Sequence, residues 1–208
     1  MTSQPHSPQI TAITDLPVSQ AKWATLKKID YVDQSGTSRS WEMAARKTRG
    51  KAGVDAVAIG NIILHPSRPP CTVLVIQYRP PLDAYTVEWP AGLIDADETP
   101  DQAAIRELKE ETGYETAKVL DVSPTVAADP GLTNANMQLV MVEVHLKEGD
   151  APPEQRLDDG ENIERVVVPL ADMYAKLIEY LKKERYVVAA KLWHWAAGLE
   201  FARTQKYI

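Results

Sequence analysis

The segment from Thr99 to Gly113 constrains this chain more than any other. Thr99 is a good N-cap, Pro100 takes the first helical position, Gln102 completes a capping-box pattern and Gly113 supplies a C-terminal stop. At 100° per residue, Glu107, Glu110 and Glu111 fall within one arc about 100° wide. Ala104, Ile105 and Leu108 fall in a second arc about 120° away. The spacing predicts a helix with one stripe packed on a sheet and another bearing three carboxylates. Like charges at this spacing cost roughly a few tenths of a kcal/mol per pair. Two of them sit in the last turn, where the macrodipole disfavours anions. A divalent cation would relieve the conflict, and hard ions such as Mg²⁺ take oxygen ligands and favour sites shared with substrate phosphates. A solvated acidic helix face gives the same cluster, and the three glutamates alone do not separate the two.

The composition limits what such a site can serve. Lys and Arg number 23 against 29 Asp and Glu, a net charge of −6. That is a poor surface for general nucleic-acid binding. A phosphorylated ligand would need a cationic bridge. The single cysteine, Cys71, excludes an internal disulfide and an all-Cys zinc site. No run approaches the ~18 apolar residues of a membrane span, and the first fifteen residues lack a signal-peptide layout. The expectation is a soluble protein that binds neither nucleic acid nor membrane, located in the cytoplasm with the nucleus as a second compartment.

The chain divides into three stretches. Residues 1–15 are polar, contain Pro5 and Pro8, and read as a loose arm. Residues 16–50 read as a small antiparallel β unit: strand-like runs at 22–26 and 28–32, a turn at Asp33–Gly36, and a further strand at 38–44. Such a unit is too small to be stable unless it packs on something. After a break at Gly50–Gly53, residues 51–208 form the main domain. Strands are expected at Val54–Leu64 and Thr72–Tyr78, joined by a hairpin loop over 65–70, and at Tyr85–Trp89. The helix follows, then strands near 118–127, 137–146 and 163–168. Residues 147–162 read as a long acidic loop, and 170–184 and 187–203 as helices.

The whole segment around the helix carries more than its glutamates. Gly92, Glu98, Arg106, Glu107, Glu110, Glu111 and Gly113, with Leu108 at the apolar site, match the Nudix box at each fixed position. A chance match in this length is on the order of one in a million. The chain resembles the Nudix hydrolases; the last box position, usually aliphatic, is Tyr114. The resemblance implies hydrolysis of a nucleoside diphosphate linked to another group. It also implies an α+β fold, an α/β/α sandwich with a mixed central sheet, here with the small N-terminal β unit added. Pro130, sixteen residues past Tyr114 in Ala128–Asn134, looks like the marker of the ADP-ribose pyrophosphatase branch. Gln77–Pro81, Glu88–Asp95, and Trp41-Glu42 with Arg46 look like the eukaryotic ADP-sugar diphosphatases.

That branch implies a set of roles. Glu107, Glu110 and Glu111, with the Ala91 carbonyl, bind two or three Mg²⁺, with Mn²⁺ able to substitute. Adenine stacks between Trp23 and Trp41, contributed by different chains of a homodimer with exchanged N-terminal β units. Arg46 and Arg79 hold the diphosphate, and guanidinium groups do pair bidentately with phosphate oxygens. Glu42, Gly92, Leu93 and Asp129 complete the substrate set, and Arg106 orients a carboxylate. Glu161 acts on the attacking water, with Glu164 as the second candidate. The same residues have plainer readings: the tryptophans as core or dimer anchors, the arginines as surface ion pairs, Glu161 as a solvated loop carboxylate. The expected activity is hydrolysis of ADP-ribose and ADP-sugars to AMP and a sugar phosphate. The alternatives are another nucleoside diphosphate derivative, such as an oxidised nucleotide, or a Nudix module that binds without catalysis.

Overall fold

In the computed structural model, which describes residues 7–50 and 53–205, a short 3-10 turn at Val18–Gln20 leads into a two-stranded antiparallel sheet. Strands β1 (Ala24–Val32) and β2 (Ser38–Arg46) pair along their full length. Asp33 organises the turn between them. Its Oδ1 accepts from the backbone of Ser35 and Thr37, both at 2.9 Å, and its Oδ2 from Arg39 Nε at 2.9 Å. Hydrogen bonds from Ser35, Arg39 and Thr37 hold its carboxyl down at about 2. Residues 7–15 carry no regular structure. The first six residues of the expected arm, and Lys51 and Ala52 of the expected break, lie outside the described residues.

The main sheet has nine strands: β3 (Ala56–His65), β4 (Arg68–Arg79), β5 (Ala84–Glu88), β6 (Ala91–Leu93), β7 (Lys118–Val122), β8 (Val126–Ala127), β9 (Asn136–His145), β10 (Ile163–Pro169) and β11 (Tyr186–Val188). Strand β3 runs parallel to β9, and β11 parallel to β5; the other pairs are antiparallel. Helix α1 (Pro100–Thr112) covers one face, where Val57, Ile59, Ala104, Leu108, Val140 and Val142 form a core. Helices α2 (Met173–Leu181) and α3 (Ala190–Thr204) cover the other, over Leu74, Ile76, Val87, Met173, Leu177 and Leu192. The expected α/β/α sandwich with a mixed sheet is what the chain forms.

One irregularity of the sheet positions the site. Strands β3 and β4 pair only at one end, Ile63 with Cys71 and His65 with Arg68. Beyond that they diverge, and the segment 84–93 fills the fork. Its first half pairs with β4 as β5, and its second half with β3 as β6. At the crossing point Ile59 N donates to the Pro90 carbonyl at 2.9 Å. Ala91 and Gly92 are thereby delivered beneath α1.

Several expectations need correction. The hairpin loop over 65–70 shrinks to Pro66-Ser67, because β4 starts at Arg68 and takes Pro69 and Pro70 into the strand. The ladder is irregular there, with a register shift between Ile63 and His65, so the missing proline N–H groups leave no gap in it. The run 118–127 breaks into β7 and β8. The helix expected from 187 starts only at Ala190, and Val187 and Val188 belong instead to β11. Ile105 is in the helix as expected but not on its packed stripe: it is 40 % exposed, whereas Ala103, Ala104, Leu108, Glu111 and Thr112 are buried. The buried arc of α1 thus runs through the carboxylate stripe rather than beside it.

Candidate active site

Helix α1 forms as its ends dictate. Gln102 Oε1 accepts from Thr99 N at 3.0 Å, and Gly113, in the left-handed region at φ +78°, closes the far end. The last carbonyls find partners in the acidic loop and β10. Arg156 N donates to the Glu110 carbonyl at 2.9 Å, Gln155 Nε2 to that of Glu111 at 2.6 Å, and Arg165 Nη1 to that of Thr112. Three carbonyls that the helix leaves open are thus satisfied, and the Arg165 cation faces the negative end of the dipole beside two anions. Arg165 also lies over the buried Tyr114 ring, 5.7 Å from its centroid. Gln155 and Arg165 are supports of the helix end that no sequence pattern marked, since a loop glutamine and a strand arginine carry no spacing signal.

The glutamates stand in three different environments. Glu111 is only 3 % exposed, and its Oε2 accepts from Ala91 N at 3.1 Å. Burial pushes its carboxyl up to about 8, against the lowering effect of that hydrogen bond. Glu107 is raised by burial as well, against the pull of Arg106. It lies on Gly92 so closely that a Cβ there would sit 1.9 Å from its Cδ. Glu110 is more open and meets Arg106 Nη1 at 3.0 Å.

Arg106 is the fixed point of the group. Glu98 takes its Nε at 2.9 Å and its Nη2 at 2.8 Å, and Nη2 also donates to the Leu93 carbonyl at 3.1 Å. Nη1 then reaches Glu107 Oε1 at 2.8 Å and Glu110 Oε2 at 3.0 Å. One oxygen of each glutamate is held and the other is left free of Arg106. Among the described residues no three His, Cys, Asp or Glu side chains close into a metal-holding group. The donor set is nonetheless all oxygen, and one of its members, Glu111, is a buried carboxylate with no cation beside it, which suits a hard divalent ion.

Glu161 belongs to this neighbourhood. Its charge raises both Glu107 and Glu111. Its own Oε2 accepts from Asp158 N at 3.1 Å, and it lines a cavity of about 540 Å³ with Gln77, Tyr78 and Asn162. Glu164 lines the same cavity, but its charge bears on Tyr180 and Tyr186 on the opposite face of the sheet. Arg79 Nε pairs with Glu88 Oε1 at 2.8 Å, and the Arg79 charge reaches Glu111.

The N-terminal hairpin carries the remaining candidates apart from this cluster. Trp41 lies opposite Ile29 in the ladder, and its Nε1 donates to the Gly131 carbonyl at 3.1 Å. It borders a cavity of about 330 Å³ with Ile29, Met43 and residues 130–136. Asp129 is exposed at the start of that turn, where its carbonyl accepts from Thr133 N at 3.0 Å. Trp23 sits beyond the other end of the hairpin, where Lys47 N donates to its carbonyl at 3.0 Å. Trp23 is six residue steps along the chain from Ile29, the partner of Trp41, about 20 Å at ~3.4 Å per residue. By strand alternation they share a face, while Glu42 and Arg46 fall on the other. Trp23 is 71 % exposed and Trp41 51 %.

Residues 55–192 match the sequence model of the NUDIX domain, a span that takes in the fork, α1 and the Glu161 loop. The chain belongs to the Nudix family. It is 43 % identical over 188 residues to the ADP-ribose pyrophosphatase of Saccharomyces cerevisiae, covering 89 % of this chain and 80 % of that protein. It is 34 % identical over 191 residues to the ADP-sugar pyrophosphatase of Mus musculus, covering 91 % and 87 %. An uncharacterised Nudix hydrolase of Schizosaccharomyces pombe is 40 % identical over 198 residues, with 95 % of each chain covered. A crystal structure of an ADP compounds hydrolase superposes with a TM-score of 0.61 over 99 % of this chain and 100 % of that chain. At 19 % identity that likeness speaks for the fold alone. Nudix hydrolases generally need a divalent metal.

Proposed function

We propose that this Nudix protein hydrolyses ADP-ribose and related ADP-sugars to AMP and a sugar phosphate. The observation that carries the proposal is the meeting of Ala91 and Gly92 with Glu111 and Glu107 under the charge of Glu161. The names of the yeast and mouse relatives support the substrate class.

In this reading Glu107, Glu110, Glu111 and the Ala91 carbonyl hold two or three Mg²⁺, with Mn²⁺ able to substitute. When bound, the cations neutralise the diphosphate and acidify a water. Arg106, itself held by Glu98, orients Glu107 and Glu110. Arg79 exchanges Glu88 for a phosphate oxygen, and Arg46 adds a second guanidinium from the hairpin. Glu161 takes the proton of the attacking water; it is preferred to Glu164 because its charge reaches the buried glutamates. Trp23 and Trp41 stack the adenine, with Glu42, Leu93 and Asp129 around the nucleotide. Two tryptophans about 20 Å apart on one hairpin cannot sandwich one base. We therefore infer a homodimer in which each base site takes one tryptophan from each chain. Residues 16–50 contain seven Lys or Arg against three Asp or Glu, in a chain of net charge −6. An N-terminal unit with this excess of cations, laid across an anionic partner body, is electrostatically favoured. The lone thiol of Cys71 suits a cytoplasmic location.

A panel of ADP-ribose, ADP-sugars, NADH and oxidised nucleoside diphosphates, assayed with Mg²⁺ and products identified by mass, tests the reading. The expected result is AMP and ribose 5-phosphate from ADP-ribose as the preferred reaction, abolished by EDTA. Preference for a substrate without an ADP moiety would overturn it. Performing the reaction in ¹⁸O-water identifies the phosphorus attacked.

A further inference from the structure

A buried polar chain runs from the fork of the main sheet to Glu111. Where β3 and β4 diverge, the Asn61 side chain takes over the missing ladder. Its Nδ2 donates to the carbonyls of Val73 at 3.0 Å and Ile59 at 3.2 Å, and its Oδ1 accepts from Val73 N at 2.7 Å. Asn61 is 1 % exposed, so these groups have no recourse to water. The Thr72 hydroxyl donates to the same Oδ1 at 3.1 Å and accepts from Trp89 Nε1 at 3.2 Å. Trp89 is itself buried, with its ring 4.9 Å from that of Trp195. A Cβ at Gly60 would lie 3.4 Å from that ring, and 2.2 Å from Met141 Sδ. Two residues past Trp89, Ala91 N meets Glu111 Oε2.

We propose that Thr72 and Asn61 are positioning residues: through Trp89 they fix the turn that presents Ala91 to Glu111. Ahead of the β6 ladder, where Ala91 pairs with Ala58, the turn at 89–90 has two polar anchors in the fork. One is the Pro90 carbonyl on Ile59 N, and the other is the indole N–H on Thr72. With the second removed, the turn into β6 is held by the first anchor and the β3 ladder alone, and the Ala91 N–H loosens against a carboxylate that burial leaves with few alternatives. Partners beyond the direct ligands commonly change metal affinity by 10–100-fold; a residue one link further out should act at the lower end. The inference rests on the assignment of Ala91 and Glu111 to the metal, made above.

The test replaces Thr72 by Val, which keeps the shape and deletes the hydroxyl. Mn²⁺ affinity is measured by electron paramagnetic resonance without substrate, alongside kcat and KM for ADP-ribose. The expected result is a loss of Mn²⁺ affinity of about fivefold or more, with a matching fall in kcat and KM within about twofold. Thr72→Ser should restore both. Unchanged Mn²⁺ affinity in Thr72→Val, whatever its thermal stability, overturns the proposal. If that variant does not fold, Trp89→Phe deletes the same hydrogen bond from the other side and is read in the same way. Glu111→Gln serves as the reference. If it binds Mn²⁺ normally, the metal assignment itself has failed; if it loses Mn²⁺ while Thr72→Val does not, only the positioning role has.

Discussion

A methyl group at position 92 would lie 1.9 Å from Glu107 Cδ and Oε1, so Gly92→Ala cannot leave that carboxylate in place. Displacements of about 1 Å in catalytic groups can cost ~10²-fold in rate. Gly92→Ala is expected to lose about that much kcat while its circular dichroism stays that of the wild type; near-normal kcat would show that Glu107 need not sit there. Glu111→Gln should cut turnover by at least ~10²-fold at saturating Mg²⁺. It has a second expected effect, on stability. A carboxyl raised to about 8 in the folded state binds its proton more tightly than in the unfolded chain. Its contribution is full below the unfolded value of ~4.3 and is lost as pH rises through about 8. Thermal melts in EDTA should show the wild type losing stability between pH 5 and 9 more steeply than Glu111→Gln. Equal slopes would mean that the buried carboxylate is compensated. The three glutamates were legible because spacings of three and four residues mark a helix face. Their burial was not, because a periodicity argument assigns charged residues to water. Ile105 and Glu111 exchange the expected environments for that reason.

At the scale of elements, the joint between hairpin and main sheet is an ion pair. Arg49 Nε and Nη2 donate to the two oxygens of Asp55 at 2.8 and 2.7 Å, and Nη2 also reaches the Asn134 carbonyl at 2.6 Å. Asp55 is buried, and its Oδ2 accepts in addition from Asn136 N at 3.0 Å. Arg49 first, and the Asn136 N–H after it, hold this carboxyl below its ordinary value against the opposing effect of burial. A lowered carboxylate stabilises the fold above its unfolded value of ~3.9, and that stability is lost as pH falls through the folded value. Asp55→Asn is expected to lower Tm by roughly 3–10 °C at pH 7 and to flatten the acid limb below about pH 4. An unchanged acid limb would remove Asp55 from the account. The element reading from sequence succeeded where capping and β-branched runs are strong, as in α1, β3 and β9. It missed β6 and β11, each three residues long, because so short a strand has no period to detect. It also could not see that residues 153–156 are seated on the end of α1, since the partners of a loop are set by tertiary contact. Gly113 records that contact: a Cβ there would meet the Glu154 carbonyl at 2.5 Å.

For the whole molecule, the hairpin is the part that one chain leaves unfinished. Trp23, Leu26, Ile29, Tyr31, Val32 and Trp41 are all exposed on a two-stranded sheet, a unit that is marginal alone. The sequence marked this unit and its tryptophans but not their separation, which depends on the register of β1 against β2. That separation turns the base site into a question of stoichiometry. Light scattering at micromolar concentration should report a dimer, and a fully active monomer would end the shared-site reading. Trp23→Ala and Trp41→Ala should each raise KM by about tenfold to a hundredfold, for ~1–3 kcal/mol of lost stacking. Turnover at saturation should change less, since the base stacks equally in ground and transition states. Mixing the two variants makes the decisive case. Each heterodimer would hold one site with both tryptophans and one with neither. Random re-pairing makes half of the dimers heterodimers, so about a quarter of all sites become intact. Activity at low substrate should therefore climb from near zero towards about a quarter of wild type as subunits exchange. If exchange is confirmed by mass and activity stays at the level of the single variants, the two tryptophans do not meet across the interface, and adenine is held by one chain alone.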